Sequence, residues 1–326
     1  MRIKELPLTT SDFRQTPLSA PERPPGGPVP DPTVGQAGAP GGECLPFRTF
    51  PLKTAMTCAS SDSGGGAGIQ ADLKTFAALG VFGFCAISAV TAQNSHEVTD
   101  IHPVEAASFR AQLEAVADDF AIDAIKVGLI GSRAHAMDLS EFLERRAGRI
   151  PVIVDPVMVS AAGHAFLDAG DLDALKRVLR HAMLATPNVP EAESLSGMEI
   201  RSPQDAARAG ARILALGPRN VLVKGGHLEG PLAEDVLVGE DAGDGLTLSL
   251  PRQDTRNTHG TGCTLSSAIA AFLARGMTLP DAAGEAKRYV WEAMRPEVAP
   301  DLGGRGSGPL NHLCRYYGFA KRSGRP

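Results

Sequence analysis

The run Asn257-Thr258-His259-Gly260-Thr261-Gly262-Cys263-Thr264 sets two glycines and a thiol before an apolar stretch in which Leu265, Ile269, Phe272 and Leu273 recur at helical spacing. The spacing predicts a helix whose first turn holds the backbone N–H groups of Gly260 to Thr264. Unpaired donors and the helix macrodipole both favour negative charge at such a terminus, so the run reads as an anion-binding turn of phosphate size. Glycine suits it because a side chain would hold the backbone away from phosphate oxygens and because tight turns of this kind often use positive φ. A lone Gly-x-Gly is equally at home at an ordinary loop-to-helix junction, and the remainder of the chain has to decide.

Working outward, short apolar runs alternate with amphipathic stretches from about Ala55 onward. Strands are predicted over Ala55 to Ala59, Gly83 to Thr91, Ala124 to Val127, Val152 to Asp155, Met183 to Thr186, Val221 to Lys224 and Asp235 to Val238. Between them Phe109, Leu113, Val116 and Phe120 follow one helical face, and Leu172, Leu175, Val178 and Leu179 another; both read as core. The alternation predicts an α/β fold, a largely parallel central sheet with helices on both faces. In such sheets ligands lie beyond the carboxyl ends of the strands. Polar motifs follow the predicted strands: Ser60-Ser61-Asp62-Ser63-Gly64-Gly65-Gly66-Ala67-Gly68 with Asp72, then Gln93, Lys126, Asp155, Asn188 with Glu191, and Lys224. They should gather at one rim.

These motifs, in this order, make the chain resemble the hydroxymethylpyrimidine/phosphomethylpyrimidine kinases of thiamine biosynthesis, members of the ribokinase-like superfamily. The resemblance covers roughly Ala55 to Gly318. It implies ATP as phosphoryl donor, Mg2+ as its companion and an aminopyrimidine alcohol, then its monophosphate, as acceptors. On that basis Gly260, Thr261 and Gly262 contact the transferring phosphoryl group, and Cys263 is the catalytic base. A helix N-terminus lowers thiol pKa values, so a partial thiolate is expected there; a buried structural cysteine is the alternative. Asp155, Asn188, Glu191, Lys224 and Thr258 are expected on the nucleotide and its phosphates, with Asp155 and Glu191 also near the metal. Pro190 and Glu191 are equally good helix-start chemistry, and Asp155 and Lys224 equally ordinary strand-end residues. Gln93, Asp72, Ser60 and Val157 are expected on the pyrimidine, the Gln93 amide matching a donor beside an acceptor. A surface glutamine and an exposed helix-start aspartate are the bland alternatives. Ser60-Ser61 and Ser63-Gly64 depart from the family's usual Gly followed by Ser or Thr, and Pro-Ser, which puts the pocket floor in question.

Pyridoxal kinase is the near rival, since its acceptor is also a hydroxymethyl group on a flat heteroaromatic ring. A non-catalytic pyrimidine-binding protein is the rival from another class. The 326 residues, 43% hydrophobic, suffice for one large domain, read here as residues 51–326. Residues 1–50, dense in Pro and Gly from Pro17 to Pro46, read as a disordered extension, and Met56 is a second candidate start. A formal net charge of −5 without basic runs argues against nucleic acid as partner. Five cysteines without Cys-x-x-Cys pairing suit a reducing compartment, and no apolar run of membrane-spanning length appears. The reading is therefore cytoplasmic, and the resemblance adds a homodimer.

Overall fold

The computed structural model describes residues 4–7, 52–146, 148, 150–158, 169–300, 302 and 304–318. The Pro/Gly-rich segment read as disordered lies outside these residues. Ten strands among them form one sheet: β1 (Lys4–Pro7), β2 (Lys53–Asp62), β3 (Val81–Gln93), β4 (Val98–Pro103), β5 (Ala124–Val127), β6 (Val152–Val154), β7 (Leu184–Ala185), β8 (Asn220–Val223), β9 (Leu232–Gly239) and β10 (Leu246–Pro251). Their spatial order is β1-β10-β9-β8-β7-β6-β5-β2-β3-β4. The six strands from β3 to β8 pair in parallel, while β4, β9 and β10 join antiparallel at the margins.

The parallel centre is buried on both faces, which explains its runs of unbroken apolar residues rather than alternation. One face carries α2 (Ala106–Asp119), α3 (Arg133–Glu144), α4 (Ala169–Leu179), α5 (Val189–Ser196) and α6 (Pro203–Leu214), packed through Phe109, Leu113, Leu139, Phe142, Leu179 and Ile213. The other carries α1 (Gly68–Ala78), α7 (Thr261–Ala274) and α8 (Leu279–Met294). Helix α7 is buried nearly all round, and Ser266, Ser267, Ala268, Ala270 and Ala271 give it the slim profile this needs. Caps fix the helix starts: Ser202 for α6, Thr278 for α8, and for α5 Asn188 in a reciprocal box with Glu191.

All seven predicted strands are present, with altered ends. Strand β4 carries no clean alternation to betray it, and the β1 segment lies within the stretch read as disordered; β10 does alternate, Leu246-Thr247-Leu248-Ser249-Leu250, and is a strand that the sequence reading passed over. Phe120 was expected in the core with Phe109; instead it follows the last turn of α2, 48% exposed, and stacks on Phe84. Met56 lies in the middle of the buried part of β2. The sheet reverses its order of addition at β2, which has β3 on one side and β5 on the other. Loops leaving β2 and β5 therefore diverge, and a crevice opens at that end of the sheet.

Candidate active site

The loop leaving β2 is wound around one carboxylate. Asp62 accepts hydrogen bonds from the backbone N–H groups of Gly64, Gly66 and Ala67 at 2.7, 3.0 and 2.8 Å, and lies 3.0 Å from Nε2 of His259. Burial opposes its charge, but the His259 contact and the backbone donors together hold it below the usual carboxylate range. His259 belongs to the glycine turn before α7, so Asp62 ties the two loops together. They also interlock sterically. Gly260 has φ +86°, and a Cβ there would fall 1.8 Å from the Gly66 carbonyl oxygen; a Cβ on Gly66 would fall 2.1 Å from the His259 ring. Gly260 is thus required by the loop behind it as well as by any ligand in front.

Together these loops wall a cavity of about 1070 Å³. Ser60, Gln93, Val157, Asp155, Asn188, Glu191, Lys224, Thr258, Gly260, Thr261, Gly262 and Cys263 all line it, so the gathering at one rim expected from the sequence is found. Ser60 occupies a β-bulge, where the register with β3 slips between Ala59 and Ser61, and the bulge aims it at the cavity. Gln93 ends β3. Its backbone is clipped by Ser63, whose hydroxyl donates to the Gln93 carbonyl at 2.6 Å and accepts from its N–H at 2.8 Å, and its amide oxygen accepts from Thr91 at 3.2 Å.

At the centre, Lys224 Nζ lies 2.7 Å from Asp155 Oδ1. A Cβ on Gly262 would lie 3.1 Å from that ammonium, so the pair stands directly over the first turn of α7. Lys224, expected on the nucleotide phosphates, is paired here with Asp155. Burial disfavours its charge, yet Asp155 and Glu191 outweigh that and raise its pKa. Glu191 caps α5, accepting from the Asn188 N–H at 2.7 Å while donating its own N–H to Asn188 Oδ1 at 2.9 Å. Burial first, opposed by Lys224 and assisted by Asp155, pushes its carboxyl up to about 7.

Two expectations are corrected. The Cys263 thiol was expected to be acidified by the helix terminus; burial instead pushes it up to about 11, with Lys126 opposing the rise and Asp72 and Asp155 adding to it. Asp72 was expected on the pyrimidine. It is fully buried, accepting from Thr57 at 2.6 Å, Ser267 at 2.6 Å and Lys126 at 2.8 Å, so its oxygens serve the protein interior. Its position on α1 two residues after Gln70 gave no sign of which way it faced.

A family model described as phosphomethylpyrimidine kinase matches residues 62–311. The chain belongs to the phosphomethylpyrimidine kinase family. It is 45% identical over 269 residues to the thiamine biosynthesis bifunctional protein of Geobacter sulfurreducens; the match covers 81% of this chain and 53% of that protein, about half its length. It is also 45% identical over 259 residues to the hydroxymethylpyrimidine/phosphomethylpyrimidine kinase of Streptomyces coelicolor, covering 79% of this chain and 93% of that one. Among solved structures, the pyridoxal kinase from Staphylococcus aureus in complex with AMP-PCP and pyridoxal is similar at TM-score 0.73 and 30% identity, over 82% of this chain and 96% of that one. The fold is ribokinase-like.

Some residues that build the site in this phosphomethylpyrimidine kinase family member went unread in the sequence. Asp62 is a lone acid inside a glycine-rich loop, a pattern that signals a side chain bonding its own backbone. His259 carries no such signal, because its partner is 197 residues away. Leu250, Pro251, Val290, Trp291 and Met294 give the cavity an apolar wall, and a buried Lys287–Asp235 pair at 2.8 Å also lines it. That wall comes from β10, which was not predicted, and from α8. No helix among the described residues is long and apolar enough to cross a membrane.

Proposed function

We propose that this chain transfers the γ-phosphoryl group of ATP to 4-amino-5-hydroxymethyl-2-methylpyrimidine and then to its monophosphate, in thiamine biosynthesis. The observation that carries the reading is the placement of the α7 first turn: Gly260 abuts the loop leaving β2 at Gly66 and Gly262 lies under the Lys224–Asp155 pair, in a cavity that Ser60, Gln93 and Cys263 also line. Phosphoryl transfer asks mainly for alignment and charge neutralisation. Ser60, Gln93 and Val157 position the ring. The Gly260-to-Gly262 backbone and the helix terminus receive the phosphoryl oxygens, and Lys224 exchanges Asp155 for phosphate when nucleotide enters. The apolar residues Leu250, Val290 and Trp291 suit a nucleobase, and Thr258 and Asn188 line the same cavity.

Asp155 and Glu191 fit a magnesium site. Both are buried oxygen donors, and their mutual repulsion contributes to the raised Glu191 carboxyl, which a cation would relieve. A bound Mg2+ would screen the triphosphate charge there. Cys263 accepts the hydroxymethyl proton, and its high pKa makes turnover of the alcohol climb with pH through the neutral range. We take residues 51–326 as one kinase domain; its assignment to the cytoplasm rests on the cysteine pattern and the apolar profile of the sequence, and the homodimer on the family resemblance alone. Pyridoxal is the second acceptor considered, because the pyridoxal kinase similarity extends over most of the chain.

The test uses Cys263→Ala with both acceptors. The alcohol must lose a proton, whereas a phosphate monoester oxygen is already ionised near neutral pH, with a second pKa of about 6. Turnover of the alcohol is expected to fall about 10²-fold with little change in its affinity, and transfer to the monophosphate to fall much less. Equal losses in both steps, or none, would remove Cys263 from the role of proton acceptor.

A further inference from the structure

Lys126 has no place in the mechanism above, yet it is among the most deeply buried side chains in the protein. It projects from the middle of β5 with no exposed surface, and its ammonium lies 2.8 Å from Asp72 Oδ2. Asp72 is itself saturated: Thr57 of β2 and Ser267 of α7 each donate to it at 2.6 Å. A Cβ on Gly128 would fall 2.7 Å from the Lys126 ammonium, so the chain leaves a berth for it where any other residue would intrude. Four elements, β2, α1, β5 and α7, therefore converge on one ion pair. Stability is a weak reason for such a construction, because apolar side chains of similar volume commonly serve as well or better.

Its position supplies a stronger reason. Ser267 is one turn after Cys263, and side chains four apart on a helix lie on one face, so the pair sits one turn below the thiol. Lys126 and Cys263 also share the wall of the cavity. The charged groups around the thiol are Lys126 from β5, Asp72 from α1, Asp155 after β6 and Lys224 after β8. Lys126 is the foremost of those that favour negative charge on the sulfur, whereas Asp72 and Asp155 oppose it.

We propose that Lys126 is a positioning residue for phosphoryl transfer, its ammonium fixed by Asp72 so that a permanent positive charge stands behind Cys263 and increases the share of the thiolate that can take the acceptor's proton. In the step it assists, the acceptor O–H proton passes to the thiolate Sγ, leaving a neutral thiol, as the new P–O bond forms. The bond from the γ-phosphorus to the bridging oxygen breaks, and ADP leaves with the electron pair. The proposal rests on reading Cys263 as the proton acceptor. Asp72 takes a second role from it: as a negative group beside the cation it moderates the effect, so the two partners should act on the thiol with opposite sign.

That sign is measurable in the full chain. The initial rate of iodoacetamide alkylation of Cys263 at a fixed pH of about 8.5, followed by peptide mass spectrometry, reports the thiolate fraction without requiring turnover, a roughly tenfold slower rate marking a midpoint about one unit higher. Lys126→Met is expected to raise the midpoint by about one unit or more, and Asp72→Asn to lower it. The double variant Lys126→Met with Asp72→Asn replaces the pair by neutral groups, so it retains a readable fold if the single lysine variant does not. Its midpoint is expected above wild type but below that of Lys126→Met. Turnover of the alcohol is expected to fall about tenfold in the double variant, with a smaller loss for the monophosphate. Unmoved midpoints, or shifts of the same sign in both single variants, would mean that the pair only props the fold and would overturn the proposal. Opposite shifts together with undiminished turnover in Cys263→Ala would uphold the placement of the charge but overturn its part in the transfer, along with the proton-acceptor reading itself.

Discussion

Replacing Gly260 by alanine tests whether the anion-binding turn is held by the loop behind it. Gly260 has φ +86°, and placing an L-residue there costs roughly 1–2 kcal/mol. Its new Cβ would also fall 1.8 Å from the Gly66 carbonyl oxygen, a backbone atom that no rotamer change can move. Separating the two loops by the ångström or more required adds roughly 1–3 kcal/mol, as overpacking does elsewhere. Gly276, at the other end of α7, has φ +89° and nothing within 4 Å of its Cβ position, so Gly276→Ala carries the conformational cost alone. By calorimetry, Gly260→Ala is expected to melt roughly 5–15 °C below wild type and Gly276→Ala roughly 2–6 °C below it. Turnover should separate them further. Displacing the turn by about 1 Å is expected to cost on the order of 10²-fold in Gly260→Ala and to leave Gly276→Ala near wild type. Equal melting shifts and equal turnover in the two variants would refute the interlock of Gly260 with Gly66.

Two further outcomes follow from particular side chains. Gln93→Leu is expected to raise the KM for the aminopyrimidine by roughly 1–3 kcal/mol of lost hydrogen bonding while harming pyridoxal less; equal losses for both acceptors would remove Gln93 as the selective reader. His312, bonded to Thr264 at 3.1 Å, is pushed down from 6.5 to about 4 by burial first and by Lys74 second. Because its folded-state value is depressed, the unfolded chain takes up the proton more readily. Its contribution is therefore full above about pH 6.5 and is lost as pH falls toward 4, by up to about 3 kcal/mol. Urea unfolding of wild type and His312→Gln at pH 7 and pH 4.5 checks this, and an unchanged pH slope in the variant would contradict it.

Much of the site is legible in the sequence because its residues follow the strands directly: once the apolar runs are placed, Gln93, Asp155, Asn188 and Lys224 must arrive at the same end of a parallel sheet. What escapes is direction and pairing. The helical period around Asp72 places it on α1 but does not say that Thr57, Lys126 and Ser267 wait on the inward side. Lys224 looks like a free cation until Asp155, 69 residues earlier in the chain, is seen beside it. The expected acidic thiol fails for a related reason: the helix terminus is visible in the sequence, but the loss of solvation that outweighs it at this half-buried position depends on the loops folded around the cavity. Edge strand β4 escapes because it has neither the unbroken apolar run of the centre nor a clean alternation, whereas the alternation of β10, Leu246-Thr247-Leu248-Ser249-Leu250, was legible and passed over.

The most direct measurement of the account is ADP release, with magnesium-ATP, from the purified protein given 4-amino-5-hydroxymethyl-2-methylpyrimidine, its monophosphate or pyridoxal as sole acceptor. Release with the first two, pyrimidine diphosphate as the final product by phosphorus NMR, and a much smaller kcat/KM for pyridoxal are expected. Release with pyridoxal alone, or with none of the three, would contradict it.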